Sequence, residues 1–218
     1  MSFRTALSLE QDPIVVATTN NHKYLELNAV ARRFGVKLIS LDAACKIKNL
    51  GPMPEIIESG SSYMENAFLK AVAALNFTGM AAIGDDSGLE VEALGGRPGL
   101  RSARYLGVNA TYTERMTALV DELKLVEVET GNKNRTAHYV CALVLLFPDG
   151  KKFEVQSSLK GCILDKPLGN GGFGYDPIVW IDSLNATLAQ VEFEVTCEKG
   201  FRAMAAERLF AKVTNECI

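Results

Sequence analysis

The sequence predicts an α/β fold, and three observations indicate it. A β-branched run at 14–18 precedes apolar residues that recur at helical spacing over 24–34. Residues 62–65 and 111–114 each match a capping box, the pattern that begins many helices. Residues 136–147 form a long apolar run, which a Pro-Asp-Gly turn connects to a second strand. Strands and helices therefore alternate along the chain.

The composition is that of an ordinary globular protein, and it excludes several functional classes. Of the 218 residues, 48% are hydrophobic and 22% are charged, and the formal net charge is −3. Proteins that bind nucleic-acid backbones usually carry a basic face, so we expect no nucleic-acid partner. No apolar run reaches membrane-spanning length, so we expect no membrane partner either.

The cysteines and the first residues of the chain indicate a cytoplasmic protein. The five cysteines are odd in number and form no C-x-x-C pair, and there are only two histidines. This pattern argues against a zinc site of Cys and His ligands and favours a reducing compartment. Residues 1–12 are polar and mixed, without a hydrophobic signal core, so we expect a flexible tail there.

The segment after the first strand is a candidate phosphate site. Residues 18–23 read Thr-Thr-Asn-Asn-His-Lys and lead into a helix that Gly35 is placed to end. Free N–H groups and the helix dipole both favour an anion at such a helix start. The alternative is that Asn20 or Asn21 simply caps the helix, and both interpretations can hold together. The P-loop pattern is absent.

A second strand at 36–41 and a loop at 42–60 precede the helix that begins at the 62–65 capping box. Glu58 is a loop carboxylate for which no capping role is evident. Asn66 and Lys70 are four residues apart, so they share one helix face and could line a cleft. The alternative for Lys70 is an ordinary solvated lysine.

The stretch 83–105 concentrates the chemistry of this chain. Gly84 is expected to break a buried strand, so that Asp85 and Asp86 follow at its carboxyl end, where ligands gather in open α/β sheets. Side chains alternate along an extended chain, so one aspartate can face a cation and the other a substrate. The glycines and three arginines of the same stretch, Arg97, Arg101 and Arg104, suit contacts with phosphate. A solvated Asp-Asp turn is the alternative.

The second half of the chain offers a hinge and a glycine loop. Residues 126–135 are polar and charged, and they are the best candidate for a boundary between two lobes. The loop at 166–177 contains G-x-G-x-x-G, but Lys-Pro precedes it and a strand-like segment follows, so it is not a dinucleotide fingerprint. It presents Phe173 either for stacking on a planar base or as a core residue. An apolar stripe over 201–213 predicts a C-terminal helix.

Four blocks together resemble the inosine triphosphate pyrophosphatase family, over residues from 14 to about 206. The blocks are Thr-Thr-Asn…Lys (18–23), Glu-Ser-Gly…Glu-Asn-Ala-Phe-Leu-Lys (58–70), Gly-Asp-Asp-Ser-Gly-Leu-Glu-Val (84–91) with Pro-Gly…Ser-Ala-Arg-Tyr (98–105), and Gly-Gly-Phe-Gly-Tyr-Asp-Pro (171–177). The resemblance implies one elongated α/β domain over 1–218, with a mixed central sheet, flanking helices and two lobes around a substrate cleft. It also implies a Mg²⁺-dependent homodimer that hydrolyses ITP, dITP and XTP to the monophosphate and pyrophosphate, which removes non-standard purines from the nucleotide pool.

The resemblance further implies roles for individual residues. Glu58 and Asp85 resemble the ligands of Mg²⁺, and Asp86 resembles the catalytic base. The positions that resemble triphosphate contacts are Thr18, Thr19, Asn20, Lys23, Lys70 and Ser87. The positions that resemble contacts with the base are Phe173, Gly174, Tyr175, Asp176 and Arg202.

The C-terminal base-recognition motif departs from the family. The family usually carries Lys and then Ser-His-Arg, whereas this chain has Thr196 and Gly200-Phe201-Arg202, and Thr19 stands where the family commonly has Gly. With two donors missing, we expect a weaker preference for ITP and XTP over ATP and GTP, or a preferred base outside that set. Two alternatives stay open: the same reaction on a different or modified nucleotide, and a nucleotide-binding sensor without turnover. The intact carboxylates and lysines argue against the sensor.

Overall fold

A computed structural model describes residues 12–216, and that range contains seven strands and six α-helices. The strands are β1 (Ile14–Ala17), β2 (Leu38–Ser40), β3 (Ala82–Val91), β4 (Thr136–Leu146), β5 (Lys152–Ile163), β6 (Val179–Ile181) and β7 (Ala186–Thr187). The helices are α1 (Asn21–Arg33), α2 (Leu41–Ile47), α3 (Tyr63–Thr78), α4 (Tyr112–Thr130), α5 (Phe193–Lys199) and α6 (Phe201–Glu216). Residues 1–11 of the predicted tail lie outside the described range.

The strands form one mixed sheet in the order β2-β1-β3-β4-β5-β6-β7. β1 pairs in parallel with both β2 and β3, as expected for strands joined through helices. β6 pairs antiparallel with both β5 and β7. The predicted α/β fold with a mixed sheet and flanking helices is therefore confirmed.

Local signals placed the helix starts correctly. The side chain of Asn20 accepts hydrogen bonds from two first-turn N–H groups of α1, and the hydroxyl of Ser62 accepts one from Glu65 at the start of α3. Thr111 and Glu114 form a complete capping box at α4. The predicted loop at 42–60 is shorter than expected, because Ser40 caps the additional helix α2.

β3 differs from the prediction, because Gly84 does not end it. The strand runs from Ala82 to Val91 and carries both Asp85 and Asp86 in its interior. A Cβ atom at Gly84 would lie 1.9 Å from the carbonyl oxygen of Ala67 on α3. The glycine therefore permits a close approach of helix α3 to the strand, which is the other common reason for a glycine inside a strand.

The chain forms two compact units. The first contains the described parts of Met1–Asp86, Cys141–Ser157 and Arg202–Ile218, and the second contains Ser87–Val140 and Ser158–Phe201. The polar stretch 126–135 is not the boundary: it lies wholly in the second unit, and residues 126–130 continue helix α4. Its charges belong to a solvated helix face and the turn that follows, and the chain passes between the units inside β3, β4 and β5 and at the start of α6.

Each unit has its own apolar core. In the first unit, Val15, Leu27, Ala67, Ile83 and Leu209 have no exposed surface. The fully buried side chains of the second unit include Leu89, Val91, Leu119, Ile178 and Val179. Among residues 12–216, no helix has the length and apolar character needed to cross a membrane.

Candidate active site

Two carboxylates of the first unit share one lysine. The Nζ atom of Lys70, on α3, lies 2.7 Å from Oε1 of Glu58 and 2.8 Å from Oδ1 of Asp86. It also donates to the backbone carbonyl of Asp85 at 3.1 Å, which ties the lysine to strand β3 itself. Burial alone would lower the pKa of Lys70, but the charges of Asp86 and Glu58 outweigh it and raise that pKa. The lysine is therefore held as a cation between the two acids.

Asn66 fixes the second oxygen of Asp86. Its amide Nδ2 donates to Oδ2 of Asp86 at 3.1 Å, and its Oδ1 accepts from the backbone N–H of Gly60 at 2.8 Å. The predicted shared face of Asn66 and Lys70 on α3 is thus the face that meets Asp86. Both carboxylate oxygens of Asp86 have defined donors, so its orientation is set by α3.

Asp85 points to the opposite side of β3, as the alternation along an extended chain requires. Its Oδ1 lies 2.6 Å from Nζ of Lys23 and its Oδ2 lies 2.7 Å from Nε of Arg202. Its side chain has no exposed surface. Burial alone would raise the pKa of Asp85, but the charges of Arg202 and Lys23 hold it well below the usual range of a carboxyl group.

Glu26 completes this buried ion network. Nη1 of Arg202 lies 2.9 Å from Oε2 of Glu26, and both side chains are almost fully buried. The thiol of Cys141 is 3.8 Å from Oδ2 of Asp85, and burial raises the pKa of that thiol well above its ordinary value. The formal charges of Glu26, Asp85, Lys23 and Arg202 add to zero, which is the arrangement that buried ions require.

The two aspartates thus differ in what they offer to a metal ion. The Asp86 and Glu58 side chains are 10% and 23% exposed. Together with the ammonium group of Lys70, the two carboxylates have a total formal charge of −1. Carboxylate oxygens are the ligands that Mg²⁺ prefers, usually one or two of them together with substrate phosphates. Within the described chain, no group of three or more His, Cys, Asp or Glu side chains is arranged to hold a metal. The Glu58 and Asp86 pair fits a Mg²⁺ site that a substrate completes.

The predicted phosphate segment surrounds the start of α1. Oδ1 of Asn20 accepts from the N–H groups of His22 and Lys23, and Oγ1 of Thr18 accepts from the N–H of Asn20. A pocket of about 230 Å³ lies here, with Thr18, Thr19 and Asn20 in its wall together with Asn21, Tyr24, Ser40, Leu41 and Asp42. The capping interpretation of Asn20 is confirmed, and the phosphate contacts of this segment stay predictions.

The remaining predicted residues lie in the second unit, apart from Arg202. Ser87 is half-buried on β3, and Phe173 is half-buried in the glycine loop, where Gly174 has a φ of +68°. Tyr175 is buried, and its hydroxyl donates to the carbonyl of Ser102 at 2.9 Å. Asp176 is also buried and accepts from the N–H of Phe173 at 2.8 Å. These contacts hold the loop together, and contacts with a base stay predictions.

The positions that depart from the family are buried as well. The ring of Phe201 stacks on that of Tyr139 at 4.6 Å, with 5° between the planes. Phe201 is 6% exposed, and Thr196 is buried beneath Gly200. Phe201 is thus part of a packed aromatic pair.

Three residues with evident roles escaped the sequence reasoning. Glu26 follows Lys23 by three positions on the buried stripe of α1, and an acid on an apolar stripe is the signal that could have found it. Cys141 and Tyr139 lie inside the apolar run of β4, where nothing in the sequence distinguishes them from core residues.

Comparisons with known proteins agree with this geometry. The Ham1 family model matches residues 14–212. The dITP/XTP pyrophosphatase of Geobacter sulfurreducens is 41% identical over 181 residues, which cover 83% of this chain and 86% of that protein. The dITP/XTP pyrophosphatase of Thermus thermophilus is 39% identical over 197 residues, which cover 90% of this chain and 89% of that protein.

Solved structures give the same answer. The HAM1 protein of Coxiella burnetii has a TM-score of 0.82 and 31% identity, covering 94% of this chain and 100% of that one. The Ham1 protein of Staphylococcus aureus has a TM-score of 0.78 and 33% identity, with the same coverage of both chains. The family resemblance seen in the sequence is confirmed, and the chain belongs to the Ham1 family.

Proposed function

We propose that this protein hydrolyses non-standard purine nucleoside triphosphates, namely ITP, dITP and XTP, to the monophosphate and pyrophosphate. The observation that carries this proposal is the group of Glu58, Lys70 and Asp86, in which two partly exposed carboxylates share one lysine. Its relatives in Geobacter and Thermus are named dITP/XTP pyrophosphatase, which supports the same substrate class. We place the activity in the cytoplasm, in a homodimer that removes damaged nucleotides from the pool.

Asp86 is the proposed general base. Its carboxylate is oriented on both oxygens, by Lys70 and by Asn66, so it can hold a water molecule in line with the α-phosphorus and accept its proton. Lys70 can neutralise charge that develops on the phosphate oxygens, because it is kept protonated between Asp86 and Glu58. The product is the monophosphate, with pyrophosphate as the leaving group.

Mg²⁺ is the proposed cofactor, with Glu58 and Asp86 as its protein ligands. When bound, Mg²⁺ would act as a Lewis acid that makes the attacking water easier to deprotonate and offsets the negative charge of the phosphates. The sequence resemblance assigned the second ligand to Asp85 instead of Asp86. We now favour Asp86, because its side chain is 10% exposed, whereas the side chain of Asp85 has no exposed surface from which to reach a metal.

Arg202 and Asp85 become structural anchors in this proposal. Arg202 has no exposed surface and contacts Asp85 and Glu26, which favours a role in holding strand β3 over the predicted contact with a base. Lys23 is 15% exposed, belongs to the phosphate segment and pairs with Asp85 through its Nζ atom. We propose that it contacts the triphosphate while Arg202 keeps Asp85 compensated.

Base recognition is assigned to the glycine loop of the second unit. Phe173 is half-buried and can stack on the base, but stacking discriminates poorly among bases because every base has a π-face. The missing family donors at Thr196 and Phe201 therefore keep the alternative of a different or modified nucleotide open. The sensor alternative is disfavoured, since simple binding of a triphosphate does not require an oriented carboxylate such as Asp86.

A turnover screen tests the function. Pyrophosphate release should be measured for ITP, dITP, XTP, ATP, GTP and dUTP with Mg²⁺, and kcat/KM should be highest for a member of the first three. The missing donors lead us to expect less than about a thousandfold discrimination against ATP and GTP, which corresponds to about 4 kcal/mol. The highest kcat/KM for dUTP would establish the alternative substrate class, and binding without pyrophosphate release from any nucleotide would establish the sensor.

Chelation tests the metal. We expect EDTA to abolish pyrophosphate release and added Mg²⁺ to restore it, because Glu58 and Asp86 are hard oxygen ligands without a soft partner. The measurement is the initial rate after exhaustive dialysis against the chelator, followed by a Mg²⁺ titration. A rate that survives dialysis unchanged would show that Lys70 and Asp86 act without a metal.

A further inference from the structure

The loop that carries Phe173 is folded around the carboxylate of Asp176. Oδ2 of Asp176 accepts from the N–H of Phe173 at 2.8 Å, and the N–H of Asp176 donates to the carbonyl of Phe173 at 3.3 Å. A Cβ atom on Gly172 would lie 2.4 Å from the same Oδ2, and its φ is +67°. The backbone therefore closes directly on this carboxylate, and the direction in which Phe173 leaves the loop depends on where Asp176 is held.

Tyr139, on β4, holds Asp176 from outside the loop. Its hydroxyl donates to Oδ1 of Asp176 at 2.9 Å, and both side chains are buried. The position of that hydroxyl is itself fixed, because the Tyr139 ring stacks face to face on Phe201. A chain of three contacts thus runs from Phe201 through Tyr139 and Asp176 to the backbone of Phe173, all within the second unit.

We propose that Tyr139 is a positioning residue for base recognition, which orients Phe173 through Asp176; this rests on the proposed function. A buried carboxylate that loses a donor must rearrange or take up water, so the loop would no longer be preset for stacking. The proposal also gives Phe201 a role. It stands where the family carries a histidine, and it steadies the tyrosine ring.

Tyr139→Phe is the informative variant, because it removes only the hydroxyl and keeps the stacked ring. For the nucleotide with the highest kcat/KM, we expect KM to rise about tenfold with kcat within about twofold, the signature of lost binding without damage to the chemical step. The matched control is Tyr105→Phe, which removes a hydroxyl bonded to the Glu122 carboxylate in the same unit. The control should leave KM within about twofold.

A double-mutant cycle shows whether Tyr139 acts through Phe173. We expect Phe173→Ala to raise KM, and Tyr139→Phe to add less than about twofold in that background. A second tenfold rise there would overturn the proposal, as would an unchanged KM in the single variant or a fall in kcat with KM unchanged.

Calorimetric Kd values for the nucleotide that the wild type binds most tightly, measured on variants with wild-type circular dichroism, separate this inference from the proposed function. A wild type that binds nucleotides but releases no pyrophosphate would refute the function. Binding by Tyr139→Phe that is tenfold weaker than binding by the wild type would still support the positioning role, provided that the difference disappears in the Phe173→Ala background. Equal Kd values for Tyr139→Phe and the wild type would refute it.

Discussion

Asp86→Asn is expected to lower kcat by about 10²-fold or more while nucleotide affinity changes only a few-fold. The amide keeps the shape of the side chain and can still contact Lys70 and Asn66, but it cannot take a proton from water. The measurements are kcat from pyrophosphate release at saturating Mg²⁺ and Kd from calorimetry. Because Asp86 is also a proposed ligand, the rate must be followed over a wide range of Mg²⁺ concentration.

The control for this variant is Asp121→Asn, which removes an exposed carboxylate on α4 that pairs only loosely with Lys124 at 3.7 Å. It should leave kcat unchanged. If high Mg²⁺ restores near-normal turnover in Asp86→Asn, then Asp86 is a metal ligand and the base is another group.

Arg202→Met should produce the largest loss of stability in this chain. It removes the cation from between Asp85 and Glu26, which are buried at 2.7 and 2.9 Å from it. Breaking a buried ion pair by deleting one partner typically costs about 3–5 kcal/mol, because a buried charge is left uncompensated. The free energy of unfolding, from urea titration at neutral pH, measures the effect.

The pH dependence distinguishes this cause from simple loss of packing. The folded-state pKa of Asp85 is depressed, so its contribution to stability is complete above the ordinary carboxyl pKa and is lost as pH falls below that range. Without Arg202, only Lys23 opposes the effect of burial, so the folded-state pKa of Asp85 lies higher than in the wild type, and the carboxylate is protonated at a higher pH. The difference in unfolding free energy between wild type and variant should therefore narrow as pH falls.

A matched control is Arg33→Met, which breaks an exposed pair with Glu207 at 2.7 Å in the same unit. Exposed ion pairs contribute about 0–1 kcal/mol, so this variant should stay close to wild type at every pH. An Arg202→Met variant as stable as Arg33→Met, or a gap independent of pH, would contradict the assigned role of the buried network.

Sequence patterns predicted those features of the fold that depend on a few adjacent residues. Asn20, Ser62 and Thr111 identified helix starts correctly, because a cap acts within one turn. The prediction for Gly84 was wrong, because glycine occurs both where a strand ends and where another element approaches the backbone closely. The atom that decides between the two is the carbonyl oxygen of Ala67, which lies on another element. The prediction of a lobe boundary that includes residues 126–130 was wrong for a similar reason, because linkers and exposed helix faces are both polar.

The candidate site shows the same limit. The resemblance assigned residues to it, but it did not give their partners. Lys23 and Asp85 are 62 positions apart, and Arg202 and Asp85 are 117 positions apart. No local pattern predicts such pairs, so Arg202 was expected to contact a base when its guanidinium lies in the core. The opposite directions of Asp85 and Asp86, by contrast, followed from strand geometry alone.

The close contact at Gly84 sets the spacing between α3 and β3, on which the geometry of the proposed active site depends. Lys70 and Asn66 lie on the helix and Asp86 lies on the strand. The hydrogen bonds of 2.8 and 3.1 Å that they form with Asp86 therefore depend on the distance between the two backbones. A single methyl group at position 84 would push α3 away from β3. Displacing a catalytic group by about 1 Å can lower the rate by about 10²-fold. The geometry of the proposed active site thus depends on a residue that has no side chain.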